Sequence, residues 1–352
     1  MTGVPDLRAV ASSRRRVYAA SLGLGLLLVA SMILAIGSGP VPISTADELA
    51  VLASRLDAHV AAVDPRLASI LLDIRLPRVL LAAVTGAALA TAGAALQGLF
   101  RNPLADPYLV GVSSGASVGA ILAMTVTLPP ALYAAGAVQL AAFVGAIVAV
   151  GVALLLARVG GRTSVPSLLL AGVAVTAIGG AASSYLLFSR GDRLFAAYAW
   201  LLGSFNVSDW SLFDRIALPV LAGTIGLVAL GPSLDLLQLD EDAATALGLR
   251  TERTKLAVVA CAALTTGAAV SAAGLIAFVG LVTPHVIRML VGAEHRPLLL
   301  LSALGGAAFM VLADLAARTV LPEGDLPVGV VTAAVGGPFF LALLWSKRGR
   351  LG

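Results

Sequence analysis

The sequence is short of nearly everything that builds a soluble enzyme. Its single cysteine, Cys261, sits in an apolar stretch; this excludes an intrachain disulfide framework and any cysteine-based metal cluster. The surroundings suit a small core hydrophobe. The three histidines, His59, His285 and His295, are scattered and make no metal-ligand spacing. Charged residues make up 12% of the 352, far too few to cover a water-facing surface. No glycine-rich loop leads into Lys-Ser or Lys-Thr, and no nucleophile elbow occurs, so no catalytic constellation is present. No basic stretch is interleaved with aromatics, so the high pI of 9.6 does not imply a nucleic-acid partner. Charge is also scarce inside the apolar runs. Only Asp314, Arg288 and His285 lie near span interiors, all close to an end. Ion-coupled transporters carry mid-membrane acids or histidines, so energy for transport is expected to come from elsewhere.

What is present is apolar: 59% of the residues, with a mean hydropathy of +0.99. That composition defines a polytopic, all-α membrane protein. At about 20 residues per span, ten spans fit, near 17–37, 77–100, 108–127, 132–157, 165–188, 210–230, 256–273, 275–291, 297–317 and 328–345. The first follows Arg14, Arg15 and Arg16; it is too long for a signal-peptide core and lacks a small-residue cleavage site, so it reads as a retained span. An even count puts both termini on one side. That side receives 15 of the 23 basic residues and a net charge of +7, against −3 on the other. The basic bias places both termini in the cytoplasm. The whole chain, 1–352, then forms one transmembrane domain with an external segment, 38–75, and a cytoplasmic one, 231–255.

Several features need more than a simple anchor. The stretch Arg101-Asn102-Pro103-Leu104-Ala105-Asp106-Pro107 is a charged loop, twice broken by proline, between glycine-rich apolar spans. Its polar backbone must face protein, water or a partner. Residues 85–111 match residues 266–292 at ten of 27 positions at a constant offset of 181, with Pro103 opposite Pro284 and Gly111 opposite Gly292. The matched spans are the second and seventh, so the copies should run in opposite directions, as inverted transporter repeats do. Within the cytoplasmic segment, Leu236–Gly248 reads as a short amphipathic helix with Asp240 as N-cap and Gly248 as C-cap. Arg75 and Arg78 stand at the outer start of the second span, and Arg318 stands beside Asp314 at the outer end of the ninth. They can snorkel to headgroups or receive carboxylates of an external protein.

From Arg75 onward, these motifs resemble the FecCD-type permeases, membrane subunits of ABC importers for ferric siderophores, haem and cobalamin. The resemblance runs in order through Gln97, the Arg101–Pro107 loop, Gly111-x-Ser113-Ser114-Gly115-Ala116, Trp200-Leu201-Leu202-Gly203-Ser204, Gly280-Leu281-x-x-Pro284-His285-x-x-Arg288 and Leu326-Pro327-Val328-Gly329. It implies a type II ABC importer permease architecture and a subunit of the bacterial inner membrane. That subunit pairs with a second permease and is driven by a cytoplasmic ABC ATPase dimer that holds ATP and magnesium; this chain binds no cofactor. It also implies that Arg75, Arg78 and Arg318 dock an external substrate-binding protein. Leu239, Asp240, Glu241, Ala243, Ala246, Leu247 and Gly248 match the segment that couples to the ATPase, and the gate falls near Thr163, Ser164, Val165 and Pro166. Where the family usually has a Glu before Leu326-Pro327, this chain reads Glu323-Gly324-Asp325. The expected cargo is an iron(III)-siderophore, with haem or cobalamin as alternatives; a secondary transporter driven by an ion gradient is the reading from another class.

Overall fold

The computed structural model describes residues 7–39, 41, 43–56, 64–127, 129–189, 194–321 and 324–348. Arg350 and Glu323 lie outside the described residues, as do positions 40, 42 and 57–63 of the expected external segment. Ten helices occupy the ten expected places: α1 (Leu7–Gly37), α2 (Leu76–Leu99), α3 (Val112–Thr125), α4 (Ala137–Leu156), α5 (Val165–Ser189), α6 (Trp210–Ala229), α7 (Thr251–Ala273), α8 (Val279–Val291), α9 (His295–Thr319) and α10 (Val328–Arg348). Seven of them are long and apolar enough to cross a membrane, while α3, α8 and the described part of α10 are shorter apolar helices. Among the described residues, the only strands are the two-residue pair Arg158–Val159 and Arg162–Thr163. The fold is all-α.

α2 is the hub and is mostly buried, with α9, α7, α8, α6 and α1 packed around it. A second group, α3 with α4 and α5, joins the hub through α7. Small residues allow these approaches. A β-carbon on Gly86 would lie 2.1 Å from the Gly306 carbonyl oxygen, and one on Gly93 would lie 1.9 Å from that of Gly280. Lipid supplies no hydrophobic drive between helices, so close backbone packing has to hold them. By contrast, α1 and α5 show Leu22, Leu26, Leu170, Ile178 and Phe188 on their outer faces, as helices bordering lipid or another apolar surface do.

α2 runs from the end of the bundle marked by Arg75 to the end marked by Arg101. α7 starts at the Arg101 end, where Lys255 meets Glu241, and finishes at the other end, where the cleft beside Ala268 and Ser271 also takes in Leu212 at the start of α6. The two repeat copies are therefore antiparallel, as expected. Within the match, Gly111 and Gly292 both have positive φ, 91° and 93°, but ψ is 3° at the first and −166° at the second. The correspondence does not extend to Pro103 and Pro284: the first lies in a loop, the second inside α8.

The starts of α2 and α8 are among the boundaries that differ from the expected ones. The helix leading into α2 begins at Pro65, capped by Asp64, whose carboxylate accepts from the Arg66 N–H at 2.9 Å. It continues through a π-helical turn, Ile70–Arg75, and Thr45–Leu56 is helical too. Much of the expected external segment is therefore helix. α8 begins at Val279 instead of 275, because Gly274 and Phe278 both have positive φ, 73° and 70°, and residues 274–278 leave the helix.

Candidate functional site

The charged side chains gather at the two ends of the bundle. At the Arg75 end, Arg75 is buried, and its guanidinium donates to the Ile36 carbonyl at 2.8 Å, the Gly37 carbonyl at 2.9 Å and the Val41 carbonyl. It thus caps the C-terminus of α1, where a cation meets the negative end of the helix dipole. Glu48 is buried nearby; burial pushes its carboxyl above the usual range while the charge of Arg75 pulls it down. Arg78 lies one turn further on and donates to Asp314 from Nε at 3.1 Å and Nη2 at 2.9 Å, and from Nη1 to Asp325 at 3.0 Å. Arg318 approaches the same Asp314 carboxylate, its Nε 3.1 Å away in a charge contact, and donates to the carbonyls of Ala35 at 2.9 Å and Ser38 at 3.2 Å. The structure brings the three expected arginines to one end of the bundle, with Asp314 between Arg78 and Arg318 and Arg75 turned to the end of α1. It does not present Arg75 at the surface.

At the Arg101 end, the expected amphipathic helix is two short helices, Gly231–Leu237 and Glu241–Ala246. Asp240 takes the N-cap backbone conformation, but its side chain makes no capping bond. The C-terminal expectation fits better. Gly248 is left-handed at φ 88°, its N–H donates to the Thr245 carbonyl at 2.9 Å, and the Leu249 N–H donates to that of Ala244 at 3.0 Å. That pair of bonds is a Schellman motif. Ala244 is buried and anchors the turn, while Leu239, Asp240, Glu241, Ala243, Ala246, Leu247 and Gly248 are all exposed. Beside them opens a cleft of about 550 Å³ lined by Arg162, Asp242, Thr245, Arg250, Glu252 and Arg253.

The gate candidates sit at the neighbouring start of α5. Thr163 is buried and ends the small strand pair. Ser164 precedes the helix, and its hydroxyl accepts from the Ser167 N–H at 3.1 Å. Val165 and Pro166 begin α5, with the proline in the first turn, where no amide hydrogen is needed.

The Arg101–Pro107 loop turns inward on itself. Arg101 has a left-handed backbone, φ 49°, and its guanidinium reaches the carbonyls of Leu237, at 2.8 Å, and Leu239. Asn102 accepts from the Leu104 N–H at 3.0 Å, Asp106 accepts from the Tyr108 N–H at 2.9 Å, and Pro107 packs against Gly280. Gln97 ties this loop to α8, donating towards the Gly280 carbonyl at 3.3 Å and accepting from Arg288 Nη2 at 2.9 Å. The loop is a clasp between helices.

Tyr108 was not legible as a key residue from the sequence. Its hydroxyl donates to the Ile276 carbonyl at 2.9 Å and accepts from the Ile276 N–H at 3.0 Å. One phenol therefore satisfies both backbone groups of a residue in the broken stretch 274–278. Tyr108→Phe is expected to lower stability by about 1–3 kcal/mol, because both groups lose their partner. Earlier thermal unfolding of detergent-solubilised protein would register the loss.

A broken-helix, small-residue-packed α bundle with charge confined to its ends is the architecture of a membrane permease. The family model of the FecCD transport family matches residues 27–346, and the chain belongs to that family. The cobalamin import system permease protein BtuC of Halobacterium salinarum is 40% identical, over 95% of this chain and 98% of that one. The hemin transport system permease protein HmuU of Yersinia pestis is 41% identical over 93% and 96%, and the Fe(3+) dicitrate permease FecD of Escherichia coli 42% over 79% and 86%. A solved metal-chelate type ABC transporter in an inward-facing conformation superimposes with a TM-score of 0.81 at 32% identity, covering 92% of this chain and 98% of that one. The chain is thus a permease subunit of the type II ABC importer architecture, a membrane transport component.

Proposed function

We propose that the chain is the permease of an ATP-driven importer in the bacterial inner membrane, with both termini cytoplasmic and an iron(III)-siderophore as cargo. The observation that carries the importer reading is the segment Leu239–Gly248. All seven of its expected coupling residues are exposed, two of them leucines, on a turn fixed by Ala244 and the Schellman bonds. Exposed apolar side chains on a rigid, charged end of a membrane bundle suit a protein partner. A cytoplasmic ABC ATPase dimer holding ATP and magnesium is that partner in this reading. Leu247→Asp is expected to abolish co-purification of the ATPase with detergent-extracted permease. Retention of the ATPase by the variant, or no ATPase with the unaltered chain, would overturn it.

The opposite end, around Arg78, Asp314, Arg318 and Asp325, receives the external binding protein in this reading, with Arg75 setting the end of α1 behind them. A second permease subunit lies against the exposed apolar face of α5, and the start of that helix at Thr163–Pro166 gates the pathway between the two.

The ferric cargo is supported by FecD, named for ferric dicitrate; HmuU and BtuC are named for hemin and cobalamin, which keeps those two as the alternatives. Tryptophan quenching of the cognate binding protein by a ferric hydroxamate, haemin and cyanocobalamin decides among them, and tight binding of either of the last two would reject the siderophore. Uptake that survives ATP depletion but collapses with an uncoupler would favour an ion-driven carrier instead.

A further inference from the structure

The first turn of α7 holds two separate parts of the chain at once. The Glu252 carboxylate accepts from the Thr163 N–H at 2.9 Å and from the Thr163 hydroxyl at 2.6 Å. One turn on, Lys255 is buried, and its ammonium donates to the Thr163 carbonyl at 3.1 Å and pairs with the Glu241 carboxylate. Thr163 therefore has its N–H, its carbonyl and its hydroxyl all bound to α7. Glu241 opens the short helix Glu241–Ala246, while Thr163 stands two residues before α5.

Between those two elements lies open space. A cleft of about 420 Å³ is lined by Leu99, Arg101, Val165, Leu237, Asp240 and Lys255. The coupling turn and the start of α5 face each other across it, and Lys255 bridges them. A buried ammonium cannot be left without a counter-charge at small cost. If Glu241 shifts, Lys255 must follow it or fall back on Glu252, whose carboxylate also feels its charge. Either response alters the grip on Thr163.

We propose that Lys255 is a positioning residue that transmits displacement of the Glu241–Ala246 helix to Thr163 and so to the start of α5. Glu252 serves as the fixed second carboxylate of the relay. The proposal rests on reading Leu239–Gly248 as the ATPase seat. It adds the route by which that seat reaches the pathway helix.

The test uses the whole assembly, permease with its ATPase and binding protein, in proteoliposomes. Uptake of a radiolabelled ferric hydroxamate and ATP hydrolysis are measured on the same preparation. Glu241 is half exposed, so Glu241→Gln removes the charge with little risk to folding. It is expected to lower uptake per ATP hydrolysed by about tenfold, a size usual for coupling between sites, whatever the rate of hydrolysis itself. Thr163→Val should lower the same ratio, and Glu241→Asp, which keeps a carboxylate for Lys255, should lower it less than Glu241→Gln. A ratio unchanged in Glu241→Gln and Thr163→Val would overturn the relay, as would uptake and hydrolysis falling in equal proportion. Failure of the unaltered permease to retain any ATPase is a different result; it would overturn the reading of the seat itself.

Discussion

Asp314→Ala is expected to destabilise the protein by about 3–5 kcal/mol, the usual cost of removing one partner from a buried charge cluster. The carboxylate is almost fully buried and accepts two bonds from Arg78 while Arg318 lies 3.1 Å away. Without it, two guanidiniums face each other at the junction of α1, α2 and α9, with Asp325 the ion-pair partner left to them among the described residues. The loss should appear as a large drop in the thermal midpoint of purified protein in detergent. Asp314→Asn keeps an acceptor and should fall between the two. A midpoint unmoved in Asp314→Ala would mean that this cluster does not hold the end of the bundle.

Gly93→Ala is expected to cost about 3 kcal/mol or more, at or beyond the upper end of ordinary overpacking. The added methyl would have to sit 1.9 Å from the Gly280 carbonyl oxygen and 2.6 Å from its Cα. Both are backbone atoms, which cannot swing aside as a side chain does. α8 would have to retreat from α2, breaking the Gln97 contacts that cross the same junction. Gly151→Ala is the control, since a β-carbon there meets nothing within 4 Å. Equal expression and melting of the two variants would refute the close-packing account.

The ten spans were legible because hydropathy and span length are properties of contiguous sequence. The broken start of α8 was not. Gly274-Leu275-Ile276-Ala277-Phe278 is as apolar as any helix around it, and only the positive φ at Gly274 and Phe278 tells it apart. A phenylalanine there is unusual, and it packs on Gly336 of α10, which no local pattern foretells. At the start of α2, Asp64-Pro65 is a good helix opening, but Arg66, Asp73 and Arg75 made the turns after it look like an external segment. Gly248 was readable as a helix stop because its role is local. The burial of Arg75 was not, because the carbonyls that absorb it belong to the end of α1 and the chain just after it, 34 to 39 residues earlier. The same limit hid Lys255 and Glu252, ordinary charges near a helix start until Thr163 is brought against them.

The bond between Tyr108 and Ile276 spans 168 residues of chain, and that separation orders biogenesis. Synthesis runs from the N-terminus, so the phenol already stands in the membrane when Ile276 emerges. Until the two meet, the irregular backbone after α7 has no partner among the described residues for that amide and carbonyl, and the lipid offers none. The first half of the molecule therefore carries, ahead of need, the partner that lets the second half leave the helical form.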